Sequence, residues 1–260
     1  MKRFFTDLRK YFKYTKFAAK SALNAEVAGS YLNWLWWIFN PFCMMLIYTV
    51  IFGYVFNARE QYFPIYIFLG LTLWDYFNRT LSHSVRLVKR NKGIVTKVYL
   101  PKFILLETTM MVNFIKMLIS FGVIAAMMIV FRVPVSWRIL WMVPIIVVLT
   151  LFTFGLSCIV MHFGVYVEDL ENIVKIVLRF VFYGTGVFWN IMKRIPAPYN
   201  NYVLHCNPIA YLIQSARNVL LYKKSPEPEW LLLWLVISLL LIAFGIQKIY
   251  KFENSYAKVI

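Results

Sequence analysis

Asp75 and Arg79 stand four residues apart inside a long apolar run, a spacing that puts them on one helical face where each neutralises the other. Lys116 sits near the middle of a second run with no acidic residue at helical spacing, so it needs a partner on another element or a water-filled cavity. Glu171, Lys175 and Arg179 follow at four-residue steps, and Phe180, Phe182, Tyr183, Phe188 and Trp189 come after them. Such a group offers cations for an anion beside rings that stack, and equally suits plain interhelical packing with cations near an interface. Catalysis is poorly served. Glu168 and Asp169 are adjacent, so on a helix they diverge from any one reacting atom. His83, His162 and His205 are scattered with no second ligand at metal spacing, and no G-x-x-x-x-G-K-[ST] phosphate loop occurs. Cys43 and Cys158 lie within apolar runs and Cys206 in a more polar segment without an obvious partner, which suits apolar filler better than a disulfide framework.

The elements that hold these residues must be membrane helices. With 61% hydrophobic and 15% charged residues and a mean hydropathy of +0.65, a chain of 260 residues could not hide its apolar surface in water. Its 28 Lys+Arg against 11 Asp+Glu give +17, a balance that in a soluble protein would suggest nucleic acid. Here the basic residues cluster between apolar runs, as expected of segments facing the cytoplasm and anionic headgroups, and nucleic acid is not an expected partner.

Six windows approach the roughly 20 residues that cross a bilayer core. They run near Trp34 to Phe56, Pro64 to Val85, Phe103 to Phe131, Trp137 to Phe163, Ile173 to Asn190 and Trp230 to Gln247. The first is of spanning length behind a long basic stretch, so it reads as an anchor rather than a signal peptide. Lys2, Arg3, Arg9, Lys10, Lys13, Lys16 and Lys20 precede it, Arg86, Lys89, Arg90, Lys92, Lys97 and Lys102 follow the second span, and Lys248, Lys251 and Lys258 end the chain. Both termini and the loops after spans two and four are therefore expected in the cytoplasm. Two segments run against this bias: the acidic YVEDLEN after span four, and Lys193, Arg194, Lys223 and Lys224 on the outer side.

Residues 1–30 form no span. Arg9, Lys13, Lys16 and Lys20 share one helical face and Phe4, Leu8, Tyr11 and Phe12 another, the pattern of an amphipathic helix in the inner interface. Residues 191–229 are too apolar for a simple loop, yet prolines cut them before any piece reaches spanning length. Two short helices are expected there, near 197–205 and 208–221, the second opened by Asn207 as N-cap with Pro208 at the first helical position. They can re-enter the outer leaflet only where protein or a water-filled cavity satisfies the freed backbone.

This order of elements resembles the permease subunit of ABC-2 type polysaccharide exporters, which move lipid-linked O-antigen, capsule or teichoic acid chains across bacterial membranes. YLNWLWWIFNPFCMMLIYTVIFG is similar to the family's first span, with Pro41 after its tryptophans. FLGLTLWDYFNRTLSHSVRLVKRNKGIVTKVYLPK is similar to the second span and its loop, with Gly70, Trp74 and the Val98 to Pro101 ending. IPAPYNNYVLHCNPIAYLIQSARNVLL resembles the pair of outer gate helices, with Asn207, Pro208 and Arg217 as landmarks. Members often carry an Arg-Asp pair after span four, where this chain has Glu168 and Asp169.

The resemblance implies an all-α integral membrane protein in one domain. Residues 1–30 would be the interfacial helix, 34–190 spans one to five, 191–229 two re-entrant or gate helices, 230–247 span six, and 248–260 a cytoplasmic tail. Asn91, Lys92, Gly93, Ile94, Val95, Thr96, Lys97 and Val98 would be the coupling helix seated in a cytoplasmic ATPase. Trp34, Trp37, Lys116, Lys175 and Arg179, with Phe180, Tyr183, Phe188 and Trp189, would line the substrate conduit. Pro196, Tyr199, Asn207, Pro208 and Arg217 would form the outer gate. The implied assembly is two copies of this chain with two ATPase subunits in the bacterial cytoplasmic membrane, ATP and Mg being bound by the ATPase and no cofactor by this chain. An exporter of drugs or small lipids shares the architecture, and a membrane enzyme acting on lipid-linked glycans is a more distant alternative.

Overall fold

The computed structural model describes residues 2–29, 31–55 and 60–259. Ser30 and Phe56, the expected ends of the interfacial segment and of span one, lie outside the described residues, as do the side chains of Lys2 and Lys258. The described elements are helical throughout. They are α1 (Lys2–Val27), α2 (Trp36–Tyr48) running on into a π-helical stretch (Thr49–Val55), α3 (Phe63–Val85), α4 (Leu87–Arg90), α5 (Lys92–Val95) and α6 (Phe103–Val130). A 3-10 turn (Trp137–Trp141) leads into α7 (Met142–Tyr166), followed by α8 (Leu170–Gly184), α9 (Ile191–Arg194), α10 (Tyr199–Cys206), α11 (Pro208–Leu220) and α12 (Pro228–Val259).

Among the described residues, four stretches are long and apolar enough to cross a membrane: Trp36–Gly53, Phe103–Val130, Trp137–Tyr166 and Pro228–Tyr256. The other two expected spans differ from these for separate reasons. Helix α3 is long enough at about 35 Å, but Asp75, Arg79, His83 and its hydroxyl residues lower its hydropathy. It is also the central helix, packed on α2, α6, α7, α8 and α11, with every residue from Ile65 to Gly70 buried. A helix whose surroundings are protein is free of the demand that lipid places on composition. Helix α8 ends at Gly184 after 15 residues, about 22 Å, well short of the expected end at Asn190.

Helix α1 packs lengthwise on the first half of α6. Its buried stripe of Phe4, Thr15, Ala19 and Leu23 recurs at helical spacing. Phe4 meets Phe103 at 5.0 Å between ring centroids, and Ala19 and Leu23 pack with Val112. Phe12, expected on this stripe, instead joins Phe5 and Phe17 on an exposed face. Helix α2 is the opposite case, since Met45 is its one buried residue while Trp36, Phe39, Leu46 and Ile47 stand open.

Helices α7 and α12 form the most extensive pair. The expected tail after Gln247 continues α12 without a break, with Ile249, Glu253 and Tyr256 buried and the Tyr256 hydroxyl 2.6 Å from His162 Nδ1. Gly164 lets α7 meet the end of α3, because a Cβ there would sit 1.9 Å from the Val85 carbonyl oxygen.

A candidate membrane cavity and its two ends

A cavity of about 670 Å³ opens between α2, α3 and α6. Trp36, Trp37, Asn40 and Tyr48 form the α2 wall, Trp74, Asp75 and Arg79 the α3 wall, and Asn113, Lys116 and Ser120 the α6 wall. Phe182 of α8 and Glu26 of α1 complete it. Pro41 gives up one backbone hydrogen bond inside α2, which a wall helix beside a cavity tolerates. Aromatic walls with scattered amides suit sugar rings, whose apolar C–H faces stack on aromatic rings while their hydroxyls need hydrogen-bond partners.

Charge in the cavity is balanced in two ion pairs, one within α3 and one between helices. Asp75 Oδ2 lies 3.3 Å from Arg79 Nη2, the pairing expected from their spacing. Lys116 finds Glu26 on α1, 2.5 Å away, and stands over the Trp37 ring at 5.9 Å. An aromatic series runs back from the wall: Phe188 stacks on Phe52 at 4.6 Å, meets Phe182 at 5.2 Å, and Phe182 meets Trp74 at 5.1 Å.

At the α4–α5 end the chain bends twice, at Arg86 and at Asn91, whose side-chain amide donates to the Leu87 carbonyl. Val95 is buried, whereas Ile94, Val98 and Tyr99 project as an exposed apolar tip beside Lys92 and Lys97. Tyr99 is tied into a polar cluster. Its hydroxyl donates to Glu253 of α12, and Arg3 of α1 binds Glu253 at 3.0 Å and also reaches Tyr99. Tyr250 donates to Asp7 at 2.7 Å, so α1, the segment before α6 and the end of α12 meet at one point. Glu171 pairs with Arg86 and, at 2.7 Å, with Lys175, joining the start of α8 to the bend after α3. The Lys175 hydrogen bond, helped by the Arg86 charge, holds the Glu171 carboxyl below its ordinary value.

At the other end Arg217 of α11 is fully buried and turned onto α3 and the segment after α8. Its guanidinium donates to the carbonyls of Tyr66, Gly186 and Val187 at 2.7 to 3.2 Å and lies 3.4 Å over the Tyr66 ring. These carbonyls include the ones freed where α8 stops, so one side chain supplies the donors that an irregular backbone needs in a membrane. Gly70 makes the room, since a Cβ there would sit 2.6 Å from Arg217 Nη2. Asn207 caps α11 by accepting from the amides of Ile209 and Ala210. Glu60 accepts from Tyr222 and pairs with Lys193, both at 2.8 Å.

Of the expected conduit residues, Trp37 and Lys116 line the cavity, and Phe188 packs behind its Tyr48 and Phe182 walls. Trp189 packs instead with Ile191, Leu204 and Ala210. Trp34, Phe180 and Tyr183 are exposed, the last two on the outward face of α8, where Lys175 and Arg179 also stand open. Pro196 and Tyr199 are exposed, while Asn207, Pro208 and Arg217 turn inward. Sequence reasoning missed Glu26, the Arg3–Tyr99–Glu253 cluster and the Arg86–Glu171 pair. Glu26 did carry a signal, being the one acidic residue between Asp7 and Glu60.

The sequence pattern of the family described as ABC-2 type transporter matches residues 20–221. Among curated proteins, the O-antigen export system permease protein RfbA of Myxococcus xanthus is 25% identical over 221 residues, 85% of each chain. RfbA of Klebsiella pneumoniae is 25% identical over 239 residues, 92% of this chain and 91% of its own. The polysialic acid transport protein KpsM of Escherichia coli is 24% identical over 196 residues, 73% of this chain and 74% of its own.

Proposed function

Because this chain belongs to the ABC-2 type transporter family, we propose that it is the membrane permease of an ATP-driven polysaccharide exporter. Family membership makes it a multi-pass membrane transport protein with an ATPase partner. The observation that carries the glycan reading is the nearly full-length similarity to permeases named for O-antigen and polysialic acid export. The aromatic, amide-bearing cavity supports it chemically.

In this reading six helices cross the bacterial cytoplasmic membrane, α3 and α8 included, with both termini inside. Two copies of the chain and two ATPase subunits make the transporter, and the substrate is a lipid-linked glycan. The exposed faces of α2 and α8, with Phe39, Ile47, Phe180 and Tyr183, are the surfaces a second copy would cover. Ile94, Val98 and Tyr99 are the contacts offered to the ATPase. Closure of the ATPase on ATP moves this tip, and the Tyr99–Glu253–Arg3 cluster passes the movement to α12 and α1 as rigid bodies. Helices α10 and α11, held by Arg217, serve as the outer gate.

The test is a mild-detergent purification of the tagged chain, wild type beside an Ile94→Asp, Val98→Asp variant. Both positions are exposed, so the variant should fold. An ATPase that co-purifies at equal stoichiometry with wild type and is lost from the variant is the expected result. Equal recovery with both removes the coupling role, and absence of any ATPase under complex-preserving conditions removes the exporter reading.

A further inference from the structure

The Glu26–Lys116 pair is unequal: the Lys116 side chain is 18% exposed inside the cavity, whereas Glu26 is 44% exposed at the rim. Glu26, the more open of the two, can turn outward and be hydrated while Lys116 stays on the cavity wall. Without Glu26, Lys116 would be an uncompensated ammonium in an apolar setting, a state that favours uptake of another anion. Arg79 shares the cavity with its own partner Asp75, so Glu26 is the carboxylate that neutralises Lys116 here. Glu26 also sits on a helix that reaches the other end of the molecule. Its helix, α1, is held at the far end by Arg3 to Tyr99 and Glu253, next to the exposed 94–99 tip.

We propose that Lys116 is a binding site for a phosphate or diphosphate group, and that Glu26 is its built-in competitor, neutralising Lys116 until the anion arrives or α1 shifts. The site takes an anion at the ammonium while the attached chain or lipid lies along the Trp36, Trp37 and Trp74 walls. The proposal rests on the permease reading only in taking this cavity for the substrate's.

The test is equilibrium binding of radiolabelled farnesyl diphosphate to the full chain in phosphatidylcholine nanodiscs, with unlabelled farnesol and inorganic pyrophosphate as competitors. Glu26→Gln, which removes the competitor, should tighten diphosphate binding by roughly three- to tenfold. Lys116→Gln should abolish saturable binding, and Lys116→Arg should keep it. Competition by pyrophosphate would identify the phosphate group alone as the ligand, and failure to compete would identify a lipid-borne diphosphate; both support the site. Competition by farnesol equal to that by unlabelled farnesyl diphosphate overturns it. So does an unchanged or weakened affinity in Glu26→Gln with thermal unfolding preserved, and that arm decides the matter should Lys116→Gln fail to fold. Glu26 is remote from the 94–99 tip, so co-purification of an ATPase with Glu26→Gln tells failure of this site apart from failure of the permease reading.

Discussion

At the scale of single residues, Arg217 shows how one side chain sustains broken structure at membrane depth. Its buried guanidinium is satisfied by three carbonyls and the Tyr66 ring, and the Gly186 and Val187 carbonyls, which lie outside any helix, depend on it in turn. Arg217→Lys keeps the charge but cannot reach Tyr66, Gly186 and Val187 together. It should lower unfolding stability by about 3 kcal/mol, each orphaned buried carbonyl costing about 1 to 3 kcal/mol. Denaturant unfolding in detergent checks this, and a change below about 1 kcal/mol would mean that the carbonyls find other donors. Glu171 gives a pH dependence. Its folded pKa is depressed, so its contribution is complete above the ordinary value of 4.5 and fades as pH falls through the lower folded value. Thermal unfolding of wild type should drop more steeply below that pH than that of Glu171→Gln; parallel curves would contradict the assignment. The Asp75–Arg79 pair and the Asn207 cap were legible in sequence because both are local. Glu26 and Lys116 are 90 positions apart, and no local period brings them together.

At the scale of elements, the difference between a tail and a helix is testable. Hydropathy ends the last span at Gln247, yet Ile246, Ile249, Glu253 and Tyr256 keep a helical stripe against α7 and the polar cluster. Truncation after Gln247 should therefore destabilise the protein by about 3 to 5 kcal/mol, the range for deleting a large buried aromatic side chain. A loose tail could be removed with no change in the unfolding midpoint. The stripe was present in the sequence at i, i+3 and i+4 spacing, but the polar residues between its members masked it. The same reasoning explains α3. Its place at the centre surrounds Thr72 and Thr80 with protein and turns Asp75 to the cavity, so a scale built for lipid-facing helices undervalues it.

At the scale of the whole molecule, the proposed topology places α10 outside and the 94–99 tip inside. Cys206 is exposed at the end of α10 and Cys158 is buried in α7. In intact cells carrying a Cys43→Ser, Ile94→Cys chain, a membrane-impermeant maleimide should modify Cys206 alone, and the thiol introduced on the tip should react only after the membrane is opened. Labelling of that introduced thiol from outside would invert the topology. Helix α12 sets a further dimension, since its 32 residues run about 48 Å and a hydrocarbon core takes about 30 Å of that. The surplus, about 18 Å, exceeds the depth of a headgroup layer. With Trp230 near the outer boundary, Glu253 lies about 35 Å along the helix, about 5 Å past the hydrocarbon core, so the Tyr99 contact sits at headgroup depth and the last turn of α12 stands clear of the lipid as a pedestal for a soluble partner.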